Sequence, residues 1–201
     1  MTDHGQRYSK VAAALHWAMA ILIIANILIG LGFPDPLPGQ KYSPKPLLPL
    51  HITIGMMLVI LSFVRVGWRL THQPPPHPPG MRKWEVTAAS ITHWAIYFMI
   101  VAMPLSGWLI LSSHKRTTFL RGVAKEPWPR VPFLNRLSES VLHTWHENWV
   151  TVHVFLTEYL MVALLALHVG AVIKHHLIDR DPVLMRMIPW RRAATPEEPL
   201  P

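Results

Sequence analysis

The sequence predicts an all-α fold, an integral membrane four-helix bundle with both termini in the cytoplasm. Hydrophobic residues make up 51% of the 201 positions, and they form long blocks rather than alternating patterns. Four blocks have the roughly 20 apolar residues that cross about 30 Å of hydrocarbon as a helix. Backbone amides in lipid must be satisfied within their own segment, so these blocks are expected to be helical. The predicted spans cover about residues 11–33, 47–68, 86–111 and 149–178.

The first block is interpreted as a span rather than a cleavable signal peptide. It is long, it contains His16, and no small-residue cleavage site follows it. Four spans place both termini on one side of the membrane. Eleven of the 19 Lys and Arg residues lie on that side and eight on the other. The positive-inside rule therefore predicts cytoplasmic termini.

The connecting segments follow the same order along the chain. The first two loops, PDPLPGQKYSPKPLLP and HQPPPHPPG, are proline-rich and are expected to be extended and stiff. Residues 112–148 form the longest loop, an outer cap with a short helix expected at 134–146. Apolar and basic residues alternate after the fourth span, as in a segment at the membrane surface. The chain thus divides into a membrane domain, residues 1–178, and a cytoplasmic interfacial tail, residues 179–201.

Composition excludes several kinds of site and partner. The chain has no cysteine, which excludes disulfides, thiolate metal sites and iron–sulfur clusters. Its formal net charge of +8 is compatible with nucleic-acid binding, but the basic residues flank the apolar spans. Snorkelling, topology and anionic lipid account for most of them. We therefore expect the lipid bilayer as a partner and no nucleic acid.

Five histidines lie inside the apolar spans, where a titratable side chain is costly and usually has a function or a strong partner. They are His16, His51, His93, His153 and His168. His51 and His153 open spans at the outer face, whereas His16 and His168 lie near the cytoplasmic face. The fifteen-residue step from His153 to His168 corresponds to about 22 Å along a helix. The sequence therefore predicts two levels, each with imidazoles from two helices.

Imidazole is a favoured axial ligand of haem iron and of other transition metals. Two imidazoles at each of two depths meet the requirement for two six-coordinate haems stacked across a membrane inside a helix bundle. A flat macrocycle also needs clearance, which small residues near the histidines would provide: Gly30, Gly32, Gly55 and Gly170.

Two alternatives stay open on the residues alone. His93 lies near the depth of His168 and could replace His16 as the inner ligand, although it is preferred as a residue of a haem or quinone pocket. A histidine-lined transporter of a metal ion is the alternative from another class of protein. It predicts no haem, and the few intramembrane carboxylates count against it.

Five segments cover nearly the whole chain in order: YSKVAAALHWAM, LPLHITIGMMLVILSFVRVGWRL, THWAIYFMIVAMPLSGWL, ALHVGAVIKHH and DPVLMRMIPWRR. In these segments the sequence resembles the bacterial cytochrome b561 family. These are four-helix dihaem cytochromes related to the cytochrome subunits of nickel–iron hydrogenases and formate dehydrogenases. The resemblance implies two haem b groups and a multi-pass protein of the bacterial inner (cell) membrane.

By motif match, the family pattern assigns the axial ligands to four of the histidines: His16, His51, His153 and His168. The family's helix-four pair is usually fourteen residues apart, whereas here the spacing is fifteen. Either the helix carries a one-residue bulge, or the outer ligand lies elsewhere. His146, in TWHENW, also resembles the outer-ligand context.

Bis-histidine ligation leaves iron no open position, so such haems carry single electrons. The resemblance implies exchange with membrane quinone, with ubiquinone as electron acceptor or donor. One branch of the family oxidises superoxide and passes the electron to ubiquinone, and a basic outer loop suits that anion. Lys115 and Arg116 of this loop are candidate catalytic residues. The alternative is a cytochrome subunit serving a periplasmic dehydrogenase or hydrogenase, with a periplasmic redox protein as partner.

Further residues are assigned supporting roles. Arg65 and Arg69, at the inner end of the second span, would pair haem propionates or snorkel to headgroups. Glu158 in the fourth span is a candidate proton partner for quinone, with structural pairing as the alternative. Pro104 is expected to kink the third span, and the PLSGW stretch that it begins would border a quinone pocket.

Overall fold

The computed structural model describes residues 7–33, 47–77, 80–113 and 129–188. In these ranges the chain forms helices and no strand. Four helices are long and apolar enough to cross a membrane: α1 (Lys10–Leu31), α2 (Leu48–Thr71), α3 (Lys83–Ser112) and α4 (Glu139–Ile178). The predicted fold class, an all-α membrane bundle of four helices, is confirmed.

The helices begin where side chains satisfy exposed backbone amides. Ser9 Oγ accepts a hydrogen bond from Ala12 N (3.2 Å) at the start of α1. The Glu85 carboxylate accepts from Arg82 N (3.0 Å) at the start of α3. Ser138 Oγ accepts from Val141 N at the start of α4 (3.4 Å). Such caps stabilise a helix terminus and fix the residue at which the helix begins.

α4 differs most from the prediction, because it begins at Glu139 rather than near Trp149. The short helix expected at 134–146 is in fact the first turns of this span, preceded by a 3₁₀ turn, Pro132–Arg136. Ser138 caps the helix, and no glycine or proline interrupts it before the apolar stretch. Because this part of the sequence is polar, its hydropathy did not indicate that the helix is continuous with the membrane span.

Consecutive helices pack against one another, and their buried side chains form one core near mid-depth. This core combines methionine with branched aliphatic side chains: Met19, Ile23, Ile27, Leu58, Met99, Ile100, Met103 and Met161. Large apolar side chains also cover the outer surface, for example Ile21, Leu28, Leu70 and Phe98, each more than half exposed. A surface this apolar is stable against lipid rather than water.

The start of the tail packs against the end of the bundle that carries the termini. A short helix, α5 (Val183–Arg186), lies beside the start of α1. Tyr8 N donates to Arg186 O (3.3 Å), and Trp17 Nε1 donates to Met187 O (2.9 Å). Arg186 Nη1 donates to Pro76 O (2.6 Å) in the loop after α2. Residues up to 188 thus close this end of the bundle, and the rest of the predicted tail lies outside the described residues.

Candidate functional site

The four helices bring histidine rings together in two pairs. At the end of the bundle away from the termini, the ring centroids of His51 and His153 are 6.1 Å apart. At the end that carries the termini, the centroids of His16 and His168 are also 6.1 Å apart. The methionine-rich core lies between these levels in each helix. We call His51 and His153 the outer pair, and His16 and His168 the inner pair.

The fifteen-residue spacing within α4 coincides with a change in helix geometry. Residues Leu156–Met161 form a π-helical segment between His153 and His168. A π turn accommodates one extra residue without breaking the helix, so both rings can face their partners on α1 and α2. Of the two explanations for the spacing, the structure contains the bulge. His146 lies two turns further out, with Nδ1 3.1 Å from Ser113 Oγ.

Hydrogen bonds to oxygen orient both outer rings. His51 Nδ1 lies 3.1 Å from Asn26 O, and His153 Nδ1 lies 3.1 Å from Met103 O and 2.8 Å from Ser106 Oγ. A carbonyl oxygen only accepts, so Nδ1 of each ring donates. A neutral imidazole that donates through Nδ1 carries its lone pair on Nε2. Metal-binding histidines are commonly held in this way by their second nitrogen.

Two glycines allow the helices to approach these rings closely. A Cβ added at Gly30 would lie 3.3 Å from His51 Cε1, and one at Gly107 would lie 3.2 Å from His153 Cε1. Gly30 was among the glycines expected to provide clearance. Gly55 instead faces Asn26, and Gly170 has open space around it.

Gly32, the fourth of those glycines, faces the backbone of its own helix. Ser106 and Gly107 were not assigned to the histidines from the sequence. Both residues belong to the PLSGW stretch, which is predicted to border a quinone pocket. The structure places both residues against His153.

The inner level holds a third ring. The centroid of His93 on α3 is 5.6 Å from that of His168, close to the His16–His168 separation. His16 differs from the outer rings because Arg65 Nη2 lies 3.2 Å from its Nδ1, while Arg65 Nη1 donates to Ala12 O (3.3 Å). A guanidinium only donates. In this arrangement Nδ1 of His16 is therefore an acceptor.

Two arginine side chains place positive charge at the inner level. The Arg65 guanidinium lies 5.8 Å from the ring centroid of Tyr97, and that of Arg69 lies 5.8 Å from the ring centroid of Trp94. Neither arginine meets a carboxylate in the part of the chain that the structure describes. Burial raises the pKa of the nearby Tyr8 hydroxyl, which therefore stays neutral. Such a cluster would suit an anionic group.

The three candidate catalytic residues fall in different places. Glu158 lies on the π-helical segment, between the two levels in sequence, and is exposed on the surface of α4. Among the described residues it has no hydrogen-bond or ion-pair partner, so structural pairing does not explain it. Lys115 and Arg116 lie outside the described residues. Of the basic residues of the outer cap, Arg130 and Arg136 are described.

The paired rings fit a haem iron. An iron between two imidazoles, at a metal–nitrogen distance of about 2 Å, holds the ring centres about 6 Å apart. Both pairs have this separation, and the outer pair also has the required donor pattern at Nδ1. A helical membrane bundle with such pairs at two depths has the architecture of a b-type membrane cytochrome.

Comparison with known proteins identifies the family. The chain belongs to the prokaryotic cytochrome b561 family, whose model matches residues 7–190. It is 28% identical over 189 residues to cytochrome b561 homolog 1 of Escherichia coli (strain K12), covering 92% of this chain and 99% of that protein. It is 29% identical over 196 residues to homolog 2 of the same organism (93% and 94%). A probable superoxide oxidase, CybB of Yersinia pestis, is 26% identical over 189 residues (93% and 98%).

The family assignment confirms the resemblance described above. It establishes a multi-pass membrane protein that carries b-type haem and takes part in electron transfer.

Proposed function

We propose that this protein is a dihaem cytochrome that oxidises superoxide at the outer level and reduces ubiquinone in the membrane. The observation that carries the proposal is the pair of matched ring separations, 6.1 Å at each of two levels. Two bound haems would supply one-electron chemistry and offer substrates no open iron position. The reaction balances when two superoxide ions give two dioxygen molecules while one quinone takes up two electrons and two protons.

Each histidine pair would hold one haem. His51 and His153 would ligate the outer iron through Nε2, and His16 and His168 the inner iron. Arg65 and Arg69 have the charge to bind propionates at the inner level. In that state Arg65 would leave His16 Nδ1, which would then carry its hydrogen as the outer rings do. His93 would line the inner pocket.

The substrate assignment is supported by charge and by topology. The termini are assigned to the cytoplasm of a bacterium, so the outer pair faces the periplasm across the inner membrane. The outer cap carries six basic residues: Lys115, Arg116, Arg121, Lys125, Arg130 and Arg136. Positive charge above an electron-transfer site raises the encounter rate of a small anion. A relative named as a probable superoxide oxidase is consistent with this choice.

Glu158 is proposed as the residue that supplies protons to quinone. A carboxyl group exposed on a membrane-spanning surface without a partner is costly and marks a functional position. Here it lies on the π-helical segment, five residues from His153. A lipid-soluble quinone at this surface of α4 would meet the carboxyl group beside the outer level.

The purified protein, without any partner, is expected to consume superoxide and reduce a ubiquinone analogue in a ratio of two to one. Superoxide loss and quinone absorbance would be followed together, after a reduced-minus-oxidised spectrum has shown b-type bands. Activity that appears only with a co-purified dehydrogenase would favour the subunit alternative. A protein that binds no haem would favour the metal transporter.

Glu158→Gln is expected to lower the rate of quinone reduction by about a hundredfold, the usual size of a lost acid–base group. Haem content and the reduction of haem by superoxide should stay unchanged. Glu147→Gln, which changes an exposed carboxylate near the outer end of α4, is the matched control. Equal rates in the two variants would contradict the assignment of Glu158.

Gly107→Ala is expected to displace the His153 ring and lower outer haem occupancy, because the new methyl group would lie 3.2 Å from Cε1. Alanine is the better helix former by roughly 1 kcal/mol, so helix propensity cannot explain a loss. Haem-to-protein ratio is the measurement. Gly170→Ala, two residues after His168 but in open space, should keep wild-type haem content. The hypothesis fails if the two variants bind haem equally.

A further inference from the structure

The two histidine levels differ in the groups that contact the second nitrogen of the ring. At the outer level, Nδ1 of His51 donates to Asn26 O, and Nδ1 of His153 donates to Met103 O. At the inner level, Nδ1 of His16 faces the guanidinium of Arg65 at 3.2 Å. His168 has no hydrogen-bond partner among the described residues. Oxygen acceptors thus surround one pair and a cation the other.

The hydrogen bonds at the outer level act on the redox potential in one direction. A hydrogen bond donated by Nδ1 increases the electron density on Nε2, which makes the imidazole a stronger donor and stabilises the oxidised iron. The loss of such a bond would therefore raise the potential of the iron that the ring ligates.

We infer that Ser106 is a positioning residue that lowers the potential of the outer haem through its hydrogen bond with His153. The inference rests on the proposed dihaem function. Ser106 would not ligate the iron itself and would act on it through the His153 ring.

Ser106 has the geometry for this role. It is 2% exposed, and its Oγ donates to Met103 O at 2.6 Å. With its hydrogen committed there, Oγ accepts at 2.8 Å from His153 Nδ1. The His153 N–H is therefore shared between two oxygens. Ser106→Ala would leave only the Met103 carbonyl oxygen as acceptor.

Ser62 on α2 provides a closely matched control. It is 1% exposed, and its Oγ donates at 2.8 Å to Val59 O, three residues earlier, as Ser106 does to Met103. Among the described residues, no histidine forms a hydrogen bond with Ser62. Ser62→Ala therefore removes a buried serine hydroxyl of the same kind without touching a ring.

The test is a redox titration of the haem-loaded protein followed in its visible spectrum. The wild type should show two waves, and His153→Ala should retain only one of them, which assigns the lost wave to the outer site. Ser106→Ala should shift this outer wave upward and leave the inner wave in place. The loss of one hydrogen bond is expected to change the oxidised-to-reduced ratio at fixed potential by about fivefold. Ser62→Ala should move neither wave.

Three results would overturn the inference: a downward shift of the outer wave in Ser106→Ala, equal effects of Ser106→Ala and Ser62→Ala, or no shift in Ser106→Ala. If Ser106→Ala loses the outer haem, Ser106→Thr decides. Wild-type potentials with the threonine hydroxyl support a positioning role, and haem loss in both variants contradicts it. Absence of b-type bands from the wild-type protein would instead refute the proposed function.

Discussion

His51→Ala and His153→Ala are each expected to halve the haem content of the protein. Either change removes one of the two rings whose centroids are 6.1 Å apart, and the iron at that level loses an axial ligand. A single imidazole does not hold a bis-histidine haem in its low-spin state. The inner pair lies beyond the methionine-rich core, on other turns of the helices, and should keep its haem. Haem-to-protein ratio and the low-spin signal are the measurements.

The same experiment decides between the two possible outer ligands. His146→Ala removes the ring that contacts Ser113 and should leave both haems bound. His143→Ala, which removes an exposed ring at the start of α4, controls for general damage to this helix. If His146→Ala lost a haem and His153→Ala kept both, the outer ligand would be His146. The double variant His51→Ala/His153→Ala should resemble either single variant, because one lost ligand already empties the level.

The fold was predictable because its physical cause is local. An apolar block of about 20 residues can satisfy its backbone in lipid only as a helix, and four such blocks fix the architecture. The pairing of histidines by depth follows from the same fact, since the rise per residue converts sequence position into depth. Neither prediction requires knowledge of how one helix is rotated against another.

The start of α4 was not predictable in this way. Its first turns carry polar side chains at the membrane surface, so hydropathy ends near Trp149 while the helix continues outward to Glu139. The Ser138 cap was a usable signal, because serine followed by an uninterrupted helix-forming stretch is a common N-terminal pattern.

The surroundings of the rings depend on helix rotation, which single-chain periodicity does not give. Ser106 and Gly107 contact His153 because α3 presents that face to α4. A one-residue change in the register of α3 would rotate both away. The π-helical segment Leu156–Met161 also depends on how the helices pack. The fifteen-residue spacing left two alternatives, a bulge in the helix or a different outer ligand, and the structure contains the bulge.

His168→Ala and His16→Ala are expected to remove the inner haem, whereas His93→Ala is expected to retain it. The centroids of His16 and His168 have the same 6.1 Å separation as the outer pair, and that of His93 lies closer to His168, at 5.6 Å. Both His16 and His93 therefore lie near the distance from His168 that a shared iron requires, and distance alone does not decide between them.

Hydrogen bonding distinguishes His16 from His93 as the candidate inner ligand. His16 can ligate iron only if Arg65 no longer donates to His16 Nδ1. An anionic haem propionate would attract the Arg65 guanidinium away from His16, so haem binding would itself cause this movement. In the part of the chain that the structure describes, no arginine forms a hydrogen bond with His93. Haem content of His16→Ala and His93→Ala, measured beside the low-spin signal, decides the assignment. Loss of the inner haem in His93→Ala with retention in His16→Ala would move the ligand to α3, and Arg65 would then keep its bond to His16 in the loaded protein.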